Sequence, residues 1–133
     1  MLALDASAWV HALVDAGARG ETAREVLAAD PEVVVPAHGP VEVLRTLARL
    51  EAVGRLSAPA AGELADTVPR TAIRIVPLEG WLLAEVWSLR HNVSAYDAPY
   101  VAIARRFDFA LLTADGRLGR AAAPYGVDVR LVE

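Results

Sequence analysis

Residues 2–10, Leu-Ala-Leu-Asp-Ala-Ser-Ala-Trp-Val, decide how the rest of the chain is read. An apolar run opens the stretch and stops on Asp5. The segment behind it, Ser7 to Asp15 ahead of Gly17, reads as a helix. A strand that runs straight into a helix is the first half of a crossover unit. The same grammar repeats outward from this point. Strands are expected at Leu2–Asp5, Val33–Pro36, Ala72–Val76, Phe109–Thr113 and Val127–Val132. Helices are expected at Ser7–Asp15, Glu21–Ala29, Val41–Val53, Ser57 to about Val68, Trp81–Arg90, Tyr96–Arg106 and Gly116–Ala122. In the third of these, Pro40 fits the first turn and Gly54 the end. Val41, Leu44, Leu47 or Ala48, and Leu50 or Glu51 trace one face, with Arg45 and Arg49 largely off it. Strands separated by helices imply a parallel sheet with right-handed crossovers. The expected fold class is therefore α/β, a three-layer sandwich whose parallel sheet of four to five strands is flanked by helices. No repeat, low-complexity tract or linker interrupts the 133 residues, so residues 1–133 are expected to form a single domain.

Composition narrows the function classes. The net charge is −4, not the basic balance of a protein that holds nucleic acid by bulk electrostatics. All 13 basic residues are Arg, which excludes any mechanism that needs a catalytic Lys. The chain has no Cys, hence no disulfide framework and no thiolate metal site. No apolar run approaches the ~18 residues of a membrane helix. The strand-like run at Met1–Leu4 is expected to leave no room for a signal peptide, and a cytoplasmic protein is the expectation.

In open α/β sheets, sites form outside the carboxyl ends of the strands, where strand order reverses. Four acids fall at that rim. Asp5 ends the first strand, and Asp115 lies two residues past Thr113 at the end of the fourth. Glu42 opens the helix after the second strand, and Asp97 opens the helix that runs back to feed the fourth. Each has a local alternative: Asp5 as a helix cap, Glu42 or Asp97 as a partner of a helix dipole, Asp115-Gly116 as a turn. Four carboxylates on one rim repel one another unless a cation joins them. An all-oxygen set selects hard divalent ions such as Mg²⁺ or Mn²⁺. Paired ions of that kind suit in-line attack of water on a phosphodiester. Ser7 and Thr113 stand beside the acids as hydroxyls able to orient a carboxylate or a water. His11, His38 and His91 lack metal-ligand spacing and are read as structural. Arg45, Arg90 and Arg117, near the acids in sequence, are read first as solvated side chains.

At this point the chain resembles the PIN-domain ribonucleases, and more closely the VapC toxins of bacterial toxin–antitoxin pairs. The matching pieces are LALDASAWV at 2–10, PVEVLRTLARL at 40–50, SAYDAPYVAIA at 94–104 and LLTADGRL at 111–118. Their order and spacing span nearly the whole chain. The resemblance implies Mg²⁺- or Mn²⁺-dependent endonucleolytic cleavage of RNA. It carries over Asp5, Glu42, Asp97 and Asp115 as catalytic and metal-binding residues, with Ser7 and Thr113 in support. It also implies a homodimer and a cognate antitoxin. Some PIN domains place a further acid just past the last Asp; here Gly116, Arg117, Leu118 and Gly119 stand there. One resident ion, or a preformed pair, are both compatible with that set.

Rival readings fit poorly. A haloacid-dehalogenase-type phosphatase wants a second Asp where Ser7 stands and a later Lys, and a response-regulator receiver domain also needs Lys. A catalytically silent PIN-like module that binds RNA or protein is the remaining alternative, and four mutually repelling acids argue against it.

Overall fold

Residues on the central strands alternate between two apolar layers, and that alternation sets the architecture. The computed structural model describes residues 1–133. In chain order the elements are β1 (Leu2–Leu4), α1 (Ala6–Val14), α2 (Ala18–Ala29), β2 (Val33–Pro36), α3 (Gly39–Ala52), α4 (Ala58–Thr67), β3 (Arg74–Val76), α5 (Gly80–Ser88), α6 (Ala98–Phe107), β4 (Ala110–Thr113), α7 (Gly116–Ala122) and β5 (Val129–Leu131). The five strands form one sheet in the order β3-β2-β1-β4-β5, and every pair is parallel.

On β1, Leu2 and Leu4 face one layer and Ala3 the other. Val35 and Val34 divide in the same way on β2, as do Leu112 and Leu111 on β4. The first layer packs against α1 and α3, through Trp9, Val43 and Leu47. The second packs against α6, whose residues Ala98 to Ala104 are all buried. This division follows from the strand order. The chain moves outward from β1 to β3, then jumps back past β1 to β4. Crossovers of one hand must change face when the direction along the sheet reverses. The reversal lies between β1 and β4, so their carboxyl ends open the crevice where α/β sites form.

The three-layer parallel fold agrees with expectation, and the differences are local. The edge strands β3 and β5 are three residues each, shorter than the runs Ala72–Val76 and Val127–Val132. Each has a partner on one side only. On α3 the buried face is Gly39, Val43 and Leu47, whereas Val41 is 65% exposed and Leu44 39%. The helix also begins at Gly39, which places Glu42 in its first turn rather than at its opening residue.

Candidate active site

Asp5 is built by its neighbours into a fixed, buried carboxylate. Its backbone N–H extends the β1–β4 ladder to Leu112 O at 2.9 Å, and its carbonyl accepts from Trp9 N in the first turn of α1. The side chain makes no capping bond to that helix. Instead Oδ2 accepts from Thr113 Oγ1 at 2.7 Å and, more tightly still, from Ser7 Oγ. Both hydroxyls accept from the backbone in turn: Ser7 Oγ from Ala114 N and Thr113 Oγ1 from Asp115 N, each at 3.0 Å. The β4–α7 turn thus aims two hydroxyls at one oxygen and leaves Oδ1 without a protein donor. Only 5% of Asp5 is exposed, and it is the one buried charged residue of the chain. Burial pushes its carboxyl above the usual range. The two hydroxyl bonds oppose that shift, and the charges of Asp97 and Glu42 add to it.

Glu42 is held in the same one-sided way. Oε1 accepts from Tyr100 Oη at 2.7 Å and lies 3.1 Å from His38 Nε2. Burial would raise the Glu42 carboxyl, but the bonds from His38 and Tyr100 win and hold it below the usual range. Burial likewise pushes His38 down, yet its bonds to Glu42 and to the Tyr96 carbonyl carry it above the ordinary imidazole value. Tyr100 is fully buried, and burial with the adjacent Glu42 charge pushes its phenol far upward, so it stays a donor.

Asp115 caps α7, with Oδ1 accepting from Arg117 N at 2.9 Å and Leu118 N at 3.3 Å. Its turn role is therefore real, but it occupies only one oxygen. Asp97 stands at the start of α6 with no capping bond. The exposed Arg117 guanidinium lies 3.7 Å from both Asp97 Oδ2 and Asp115 Oδ2.

All four acids line one cavity of about 170 Å³, together with Ser7, Arg45 and Arg49. Thr113 lies beneath it, fully buried. The six residues singled out from sequence are thus brought together. Sequence reasoning missed His38 and Tyr100, and set Arg49 aside as an off-face residue. The available signals were the spacing of His38 four residues before Glu42 and of Tyr100 three after Asp97. Three of the acids, Asp5, Glu42 and Asp115, are gripped through one oxygen and offer the other. Hard oxygen donors of this kind fit Mg²⁺ or Mn²⁺. They do not close by themselves into a set of three tight enough to hold an ion, as expected of like charges with no cation between them.

The PIN domain family model matches residues 2–124, from the first strand through the last helix. The chain belongs to the PIN domain family. It is similar to ribonuclease VapC9 of Mycobacterium tuberculosis, with 38% identity over 130 residues, 96% of this chain and 98% of the relative. Among solved structures, this PIN domain overlays VapC20 of M. tuberculosis, a toxin that cleaves the sarcin–ricin loop, with a TM-score of 0.70, 24% identity and coverage of 91% and 95%. It also overlays VapBC2 of Rickettsia felis, solved on a DNA fragment from its promoter, with a TM-score of 0.71, 12% identity and coverage of 99% and 98%. Those two likenesses are of fold. No helix of this PIN domain is long and apolar enough to cross a membrane.

Proposed function

We propose that this PIN domain is a metal-dependent endoribonuclease of the VapC kind, the toxin of a toxin–antitoxin pair. The carrying observation is the cavity in which three of the four carboxylates are fixed through one oxygen and present the other. Family membership and the VapC9 likeness support RNA as the substrate. A silent binding module has no use for a buried, unpaired Asp5 that raises the energy of its own fold.

Asp5, Glu42, Asp97 and Asp115 would hold Mg²⁺ or Mn²⁺. Such an ion supplies Lewis acidity toward a phosphate oxygen and lowers the pKa of an attacking water. The chain's own residues do the rest. Ser7 and Thr113 fix the Asp5 carboxylate, so the oxygen it offers is always the same one. Arg45 and Arg49 line the cavity and Arg117 lies beside Asp97 and Asp115, placing positive charge where an RNA backbone must pass. Arg117 is 76% exposed at its side chain, and neither carboxylate contact is shorter than 3.7 Å, so it is free to turn toward phosphate.

Two partners follow from this reading. A homodimer is the expected state, formed through apolar helix faces. The antitoxin is expected to place a basic side chain among the four acids, since Arg binds carboxylates bidentately. The test is cleavage of total RNA by purified protein, with EDTA and with added Mg²⁺ or Mn²⁺. Cleavage should require metal and vanish in Asp97→Asn. Equal cleavage in EDTA would overturn the proposal.

A further inference from the structure

Glu42 and Asp97 reach the cavity on different helices, α3 and α6, which belong to different crossovers and opposite layers. One side chain touches the entry of both. His38, at the start of α3, donates from Nε2 to the Tyr96 carbonyl oxygen at 2.8 Å, and the same nitrogen lies 3.1 Å from Glu42 Oε1. Tyr96 is the residue immediately before Asp97. We propose that His38 is a positioning residue that sets the Glu42 carboxylate against the Asp97 end of α6, so that both offer oxygens to one divalent cation.

The burial of the ring argues that this contact is why an imidazole stands here. Its side chain is only 14% exposed and lies beside the rings of Tyr100 and Tyr96, at centroid distances of 5.4 and 6.2 Å. Nδ1 is buried and has no hydrogen-bond partner. A buried polar atom left unpaired is costly, and an apolar side chain of similar size would avoid that cost. The ring's polar return therefore comes from Nε2 alone, and Nε2 faces two acceptors on two carboxylate-bearing segments. Tyr100 cannot replace it, because its hydroxyl donates to Glu42 and Tyr100 sits inside α6 rather than before Asp97.

The inference rests on reading the acidic cavity as a divalent-cation site, and the test separates the two. His38→Leu fills similar space with no donor. His38→Gln brings two amide hydrogens on one nitrogen, one for each acceptor. Mn²⁺ affinity is measured by calorimetry on wild type and both variants, with melting in EDTA as the folding control. Loss of an outer-shell partner typically weakens metal binding 10- to 100-fold. His38→Leu should show a loss of that order, and His38→Gln should recover most of it. Cleavage should follow in kcat, with KM for RNA little changed. Wild type that does not bind Mn²⁺ overturns the cation-site reading itself. Wild type that binds, with His38→Leu binding equally well or His38→Gln no better than His38→Leu, overturns the role of His38 alone. Should His38→Leu fail to melt cooperatively in EDTA, the comparison of His38→Gln with wild type decides, and a 10-fold loss in His38→Gln counts against the proposal.

Discussion

Asp5 carries the sharpest contrast between folding and chemistry. It has the position of a helix cap, yet its side chain makes no bond to the backbone of α1 and accepts instead from the hydroxyls of Ser7 and Thr113. A cap would be served equally by Asn, and Asn in the same rotamer can accept both hydroxyl bonds through its carbonyl oxygen. The sign of the charge effect follows from the raised carboxyl pKa. A group that holds its proton more tightly when folded contributes most below its unfolded pKa, and that contribution is lost as pH rises through the folded value. In EDTA at neutral pH, Asp5→Asn should therefore be more stable than wild type. At an effective dielectric of about 20, repulsion between carboxylates several ångström apart is on the order of 2 kcal/mol. The gap should shrink as pH falls toward the usual carboxylate range. In millimolar Mg²⁺ the order should reverse, because wild type gains RT ln(1 + [L]/Kd) and the variant gains less. Melting temperature against pH, with and without metal, checks both halves. An identical Mg²⁺-induced shift in the two proteins would make Asp5 a structural residue only.

Local signals were read correctly where they are short-range, and missed where partners come from far along the chain. Pro40 and Gly54 bracket α3, Ser57 caps α4 through Ala60 N, and α7 starts at Gly116. Each depends on residues within a few positions. The buried face of α3 was legible only in part. Val41 and Leu44 share the apolar character of Val43 and Leu47, and only the sheet beneath decides which pair turns inward. The grip on the acids is less local still. Thr113 reaches Asp5 across 108 positions and Tyr100 reaches Glu42 across 58, so neither bond has a pattern within one helix or strand. The junction of α3 with α6 shows what this conceals. A Cβ added at Gly39 would lie 3.2 Å from Tyr100 Oη and 3.3 Å from Val35 Cβ. Tyr100 is enclosed in the core and Val35 is on a central strand, so neither yields cheaply. Gly39→Ala should cost about 1–3 kcal/mol as an overpacked core site. It should also shift the hydroxyl that holds Glu42. Urea denaturation measures the first effect and Mn²⁺ affinity the second. A variant as stable as wild type would show that α3 can slide outward without harm.

The strand order 3-2-1-4-5 explains why acids so distant in sequence meet, since β1 and β4 diverge at the one point where winding reverses. The same winding leaves α5 on the outside of its layer. Leu82 and Leu89 face inward, while Leu83 is 53% exposed and Trp87 68%. With Val86, Val93 and Arg90 these two line an apolar groove of about 300 Å³, and the Arg90 guanidinium lies 4.3 Å above the Trp87 ring. Such an exposed aromatic with a stacked Arg has the composition of an interface centre. A stable two-fold interface buries roughly 800 Å² per partner, about one-tenth of the 7324 Å² surface of this chain. A second copy meeting the first through α5, with Trp87 at the two-fold axis of an isologous contact, would bring Trp87 against its own counterpart. Trp at such a centre is typically worth at least 2 kcal/mol when cut to Ala, about a 30-fold rise in dimer dissociation constant by the conversion of 1.4 kcal/mol per decade. Trp87→Ala should therefore be monomeric at micromolar concentrations where wild type scatters light as a dimer. Its melting temperature, extrapolated to high dilution, should match that of wild type, because Trp87 contributes little to the fold of one chain. A wild-type monomer at tens of micromolar would sink the dimer. A wild-type dimer that survives Trp87→Ala would move the interface away from α5.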